Sequence, residues 1–249
     1  MLFHFTNPWE RASSLSARDA GWKSRRSAVS NPAGNIPFSH VPGCKTCRQE
    51  SWRTGTLPFE LTILGALILL LNLPLLHGAC AENLIFEPDR VTAGEWWRVF
   101  SHPFVHVSWY HLLLDATAFL LLYAELQGSK WFQRVGCLLA SGAGSLLVAL
   151  WAAPPVQTHG LCGLSGIAHG LMTISALAMI RTATDKSVER AGIIAFVIVV
   201  TKSMVEAATG RVALEALHFG DLGLPIAVSH AGGVLGALVA WAIIRRPNS

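Results

Sequence analysis

Gly163-Leu164-Ser165-Gly166-Ile167-Ala168-His169-Gly170 opens an apolar stretch that runs to Ile180, and a second such stretch, residues 225–244, carries His230. A serine hydroxyl is a poor nucleophile until an imidazole takes its proton. An ionisable side chain inside a bilayer is costly and marks a functional site by default. Ser165 and His230 together therefore predict a reacting pair within a bundle of membrane helices.

Depth supports the pairing. Ser165 lies 16 residues before Arg181, His230 lies 15 before Arg245, and His111 lies 16 before Gln127, near Lys130. At about 1.5 Å per helical residue, all three sit roughly 22–24 Å from the same face of the bundle. A serine or histidine taken alone would suit ordinary helix packing. Three polar groups from separate stretches in one layer would not be expected from that cause.

Composition agrees with a membrane chain. Of 249 residues 52% are hydrophobic and only 14% charged, and the mean hydropathy is +0.44, too apolar for an ordinary soluble domain. Six apolar stretches, residues 57–76, 111–123, 135–153, 164–180, 191–205 and 225–244, predict an all-α bundle of six transmembrane helices. Several are shorter than the roughly 20 residues that a span requires, so they thin the bilayer or shelter inside the bundle.

Charge sets the expected orientation. With the N-terminus inside, the inner segments hold fifteen Lys and Arg, and the outer ones hold Arg90, Arg98 and Arg211. This fits the positive-inside rule, places both termini in the cytoplasm and opens the site to the outer side. Basic residues so dispersed also explain a pI near 9.0 without a nucleic-acid partner.

Residues 1–56 read as a polar, disordered cytoplasmic tail, residues 57–246 as the membrane domain, and 247–249 as a cytoplasmic end. The tail lacks the apolar core of a signal peptide, so the first helix reads as an uncleaved anchor. Its Cys44 and Cys47, with His40, make at most half a zinc site. Cys80 and Cys162 both face outward by this topology, where a bridge is possible.

The outer loop, residues 77–110, contains Trp96, Trp97, Phe100, Phe104, Trp109 and Tyr110. Such density suits a loop dipping into the headgroup layer. Arg98 is expected to hold that loop through backbone carbonyls or lipid headgroups, and His102 and His106 to pin it by hydrogen bonds. No metal is expected at His102, His106 and Glu95, for want of a firm ligand set. Lys202 and Glu206, four apart, read as a snorkelling ion pair.

The chemistry assigns roles. Ser165 starts its helix, so first-turn amides and the positive end of the dipole face developing negative charge. His230 is the expected general base and then acid, a contribution of about 10²–10⁴ in rate. The Ser165 and Leu164 amides and the His111 side chain are the candidate oxyanion donors. Ile167 stands where a G-x-S-x-G elbow needs its last glycine, which excludes the soluble α/β-hydrolases.

Glu95-Trp96-Trp97-Arg98, then His102, His106 and His111, then Gly163-Leu164-Ser165-Gly166, then His230 with Gly233, resemble the rhomboid intramembrane proteases over about residues 57–246. The resemblance implies a six-helix bundle, a Ser165–His230 dyad without a third member, His111 in the oxyanion hole, lateral substrate entry and no cofactor. Gly163, Gly166 and Gly233 then serve close packing. More narrowly, residues 108–115 (SWYHLLLD) and 163–170 are similar to rhombosortases. That branch implies a bacterial inner-membrane enzyme acting on exported proteins that end in Gly-Gly, an apolar helix and a basic tail.

The sequence departs from the rhomboid pattern at Asp115, where Asn is usual, and at His169, where an aromatic often supports the catalytic imidazole. A carboxylate beside an oxyanion repels it unless protonated; the other reading has Asp115 orient His111. His169, one turn beyond Ser165 on the same face, is placed to support His230. Ala237 replaces a common second glycine, a small-for-small change. Competing functions are an inactive relative that binds transmembrane helices without cutting, and a histidine-based metal-binding or transport protein.

Overall fold

Two of the long helices begin at side-chain caps, and one of these ends on a left-handed glycine. The computed structural model describes residues 57–126, 129–213 and 219–244. The tail with Cys44 and Cys47, residue Gln127, and the end from Arg245 onward lie outside the described residues. Six helices have 15 to 24 residues: α1 (Leu57–Leu71), α4 (Trp109–Glu125), α5 (Trp131–Ala152), α7 (Ser165–Thr182), α8 (Lys186–Thr209) and α9 (Val228–Ile244). Short helices α2 (Pro88–Thr92), α3 (Arg98–Ser101) and α6 (Pro155–His159) lie between them. Ser108 caps α4 by accepting the amide of His111 at 3.1 Å, and Asp185 caps α8 through the amides of Ser187 and Val188. Gly210 ends α8 in the left-handed conformation.

Three stretches are long and apolar enough to cross a bilayer: Pro58–His77, Trp131–Ala152 and Lys186–Thr209. A fourth candidate is the pair Arg98–Phe104 and Trp109–Glu125, bent by 95°. By length and composition three or four of the six expected spans qualify among the described residues, and α9 is apolar but shorter. At α7 the shortfall has a physical cause. Most of the first half of α7 is buried by its neighbours, so α7 can carry Ser165, His169 and Thr173 where a lipid-facing helix could not.

Polarity is inverted relative to a water-soluble protein. Leu69, Leu113, Leu121, Leu147, Trp151, Ile194, Leu235 and Val239 point outward, while Asn72, Arg98, His106, Asp115, Arg134, Glu206 and His230 are buried. Ionisable groups inside a bundle of apolar exterior need partners: the Arg134 guanidinium meets the Glu60 carboxylate, whose Oε2 also accepts the Tyr123 hydroxyl at 2.7 Å.

Small residues let α9 sit deep between α5 and α7. A Cβ on Gly233 would collide with the carbonyl of Gly166, backbone to backbone. Gly166 in turn lies against Ser145 of α5. Ala237 is fully buried in the same face, so the methyl group there is accommodated. This approach carries the first turn of α9 up to the first turn of α7.

Candidate active site

Gly163 sets the entry to α7. Its φ of +100° suits glycine, and a Cβ would stand 2.9 Å from His111 Nε2 and 3.0 Å from Asp115 Oδ2. Its amide donates to the His102 carbonyl at 3.1 Å, and just upstream Phe86 and Leu161 exchange a pair of backbone bonds. The outer loop is thereby tied to the segment that presents the serine. Leu164 is fully buried at the N-cap, with no side-chain cap of its own. The first amides of α7 have no partner within the helix and lie next to the Ser165 hydroxyl.

Across from them, His230 Nε2 lies 3.1 Å from Ser165 Oγ. The structure therefore brings together the two residues that the sequence paired by depth. The other ring nitrogen of His230, Nδ1, lies 2.7 Å from Glu206 Oε2. A carboxylate only accepts, so Nδ1–H donates to Glu206 and the Nε2 lone pair faces the serine.

Glu206 corrects two expectations. The Ser165–His230 pair has a third neighbour, where the resemblance implied none. Glu206 also does not snorkel: it is 0% exposed, with Oε1 accepting from Lys202 Nζ at 2.6 Å and from the Ala213 amide at 2.8 Å. The reason is tertiary: α8 packs so that the Glu206 face turns inward. The signal available in the sequence was a carboxylate inside an apolar stretch, near the outer end where Ser165 and His230 also lie.

His169 lies flat on His230, with ring centres 4.1 Å apart. Its Nδ1 is 2.7 Å from the Ser165 carbonyl and its Nε2 is 2.9 Å from Lys202 Nζ. The ammonium has only protons to give, so Nε2 accepts and Nδ1–H donates. Ser165, His169, Lys202, Glu206 and His230 form a closed ring of contacts.

On the opposite side, Asp115 Oδ2 lies 3.2 Å from His111 Nε2 and 3.5 Å from His106 Nε2, in contact but without hydrogen-bond alignment. The carboxylate faces His111 and His106, the placement that a role in orienting His111 would need. His111 Nε2 is turned toward Asp115, and its Nδ1 is buried without a partner. His106 and His111 meet edge to face at 4.9 Å.

The outer loop is held by Arg98, through carbonyls as one of the two expected modes had it. Its Nη1 donates to the carbonyls of Glu82 and Ile85, both at 2.7 Å, and its Nε to Glu95 at 2.7 Å. Trp97 Nε1 donates to the Asn83 carbonyl, and His102 Nδ1 pairs with the Arg98 carbonyl. His106 differs: its backbone amide, rather than its ring, ties the loop, donating to Asn72 Oδ1 at 2.8 Å. Asn72 Nδ2 reaches the Phe104 carbonyl at 2.7 Å, a clamp from the end of the first helix that sequence reading missed.

Beside the ring lies an open cavity of about 480 Å³, lined in part by Ser165, His230, His111, Asp115, His169 and Lys202. Glu95 is bound to Arg98 and His102 to a carbonyl, so the sequence trio of Glu95, His102 and His106 does not converge. Among the described residues, two other groups hold ligand-type atoms within 4.8 Å, His106–His111–Asp115 and His169–Glu206–His230. In the second, every such atom already faces a hydrogen-bond partner. Cys80 and Cys162 are free thiols.

A half-buried serine facing an imidazole within a helical membrane bundle is an arrangement that can support hydrolysis inside a bilayer. The family model of the rhomboid domain matches residues 93–246, well over half of the chain. The chain belongs to the rhomboid family of intramembrane serine proteases and is a multi-pass membrane protein. No similar protein was found among curated sequences.

Proposed function

We propose that this protein is a serine endopeptidase that cuts a substrate within or beside its transmembrane helix. Ser165 Oγ attacks the scissile carbonyl as His230 Nε2 takes its proton. The C–N bond then breaks, and the imidazolium gives that proton to the leaving amine. Water, activated by the same imidazole, releases the acyl group. First-turn amides of α7 at Leu164 and Ser165 face the oxyanion. Asp115 faces His111, whose contribution to the oxyanion hole requires the ring to turn from the carboxylate. No metal or nucleotide enters these steps.

The observation that carries this reading is the 3.1 Å approach of Ser165 Oγ to His230 Nε2 at the wall of an open cavity. The charge distribution supports cytoplasmic termini and a site opening outward, the six apolar stretches support six spans, and the rhombosortase likeness supports a bacterial inner membrane. The likeness of residues 108–115 and 163–170 to rhombosortases supports a narrower substrate class: transmembrane proteins ending in Gly-Gly, an apolar helix and a basic tail.

The test is cleavage of a reporter with such a tail in a host lacking its own enzyme. Wild type should cut it, and Ser165→Ala and His230→Ala should each abolish cutting. Cleavage only of tails lacking Gly-Gly would remove the narrower class. An uncut reporter of every kind would leave a helix-binding, non-proteolytic protein.

A further inference from the structure

Glu206 is the one carboxylate in the serine's ring of contacts, and the proposed steps do not use it. It is also the group a membrane helix can least easily carry. A fully buried carboxylate persists only if its interactions offset desolvation. Lys202 accounts for one oxygen, Oε1, which the Ala213 amide shares. Oε2 faces His230 Nδ1 at 2.7 Å. A carboxylate serving only Lys202 would need no imidazole on its second oxygen, and a histidine serving only the serine would leave Nδ1–H buried and unpaired.

We infer that Glu206 is a positioning residue for hydrolysis, the third member of a Ser165–His230–Glu206 triad inside the membrane. It acts through His230 in two ways. It holds the proton on Nδ1, so that Nε2 keeps its lone pair toward Ser165, and it stabilises the imidazolium formed when the serine proton moves across. The same logic operates in soluble serine proteases, where neutralising the third carboxylate costs about 10⁴ in kcat. The carboxylate is itself immobilised from two sides, by Lys202 within α8 and by the Ala213 amide beyond it. The His169 stack holds the opposite face of the His230 ring.

This inference rests on Ser165 and His230 acting as nucleophile and base, and its test separates the two. Full-length wild type, Glu206→Gln and Glu206→Asp are purified in detergent and compared in three measurements. These are thermal unfolding, kcat and KM on the tail reporter, and the rate at which a fluorophosphonate labels Ser165. Glu206→Gln should fold and keep KM within about threefold, while kcat and the labelling rate both fall at least about 10²-fold. Glu206→Asp, which returns the charge one methylene short, should recover part of the loss. A purely structural carboxylate would not tie the labelling rate to the charge at position 206 in protein of equal stability.

Glu206→Gln that folds and labels at the wild-type rate overturns the triad while leaving Ser165 and His230 intact. If Glu206→Gln fails to fold, Glu206→Asp decides: folded and slowed at least tenfold supports the triad, folded and unimpaired overturns it. Wild type that neither labels nor cleaves overturns the triad together with the reading it rests on.

Discussion

The imidazoles of His169 and His230 lie face to face, ring centres 4.1 Å apart and planes within 10°. Each ring is also held at its edges, His169 by the Ser165 carbonyl and Lys202, His230 by Ser165 and Glu206. The stack therefore links the serine's own helix to the last helix through two aromatic faces. Its contribution is geometric, because a ring of another aromatic residue would cover the same face of His230.

Accordingly, His169→Phe should keep cleavage within about tenfold of wild type, since offset aromatic stacking survives the change. His169→Ala should lose a further factor of about ten by leaving His230 free to tilt. The check is kcat on the tail reporter for both variants. Equal losses would show that the His169 hydrogen bonds, rather than the stack, set the geometry.

Gly163→Ala should destabilise the protein by about 1–3 kcal/mol, because φ is +100° there and the new methyl meets His111 and Asp115. Activity should fall more than stability, since the shift occurs two residues ahead of Ser165. Thermal unfolding and kcat/KM measured on the same preparation test this. An unchanged kcat/KM would mean that the α7 entry is not strained by the substitution.

Arg98→Ala should loosen the outer loop at a cost of about 1–3 kcal/mol, because it strands two carbonyls and removes the partner of the partly exposed Glu95 and Glu87 carboxylates. Arg98→Lys should recover little, as one ammonium cannot replace the planar fork. Limited proteolysis between residues 77 and 110 reads the loop directly. Protection equal to wild type in Arg98→Ala would refute the clamp.

Chelators should leave hydrolysis unchanged. His230 spends Nδ1 on Glu206 and turns Nε2 toward Ser165, so neither nitrogen is left for an ion in the proposed steps. Cleavage rates with and without EDTA, at matched ionic strength, provide the check. Inactivation reversed by added zinc would make the reaction metal-dependent.

The sequence by itself determined the helical membrane character, through long apolar runs and few charges. It also located Ser165 and His230, because helical rise turns residue counts into depth, so two groups counted from the same face must share a layer. Arg98 as a loop clamp and His169 beside His230 were legible for similar local reasons: i,i+4 geometry in one case and an arginine amid aromatics in the other. Depth says nothing about rotation around a helix axis. Only the tertiary structure decided that α8 turns Glu206 inward to His230 and that Asn72 reaches across to Phe104 and His106. Each depends on how helices distant in sequence are rotated against one another. That rotation is set by close packing, such as Gly233 against Gly166, and leaves no periodic mark on the chain.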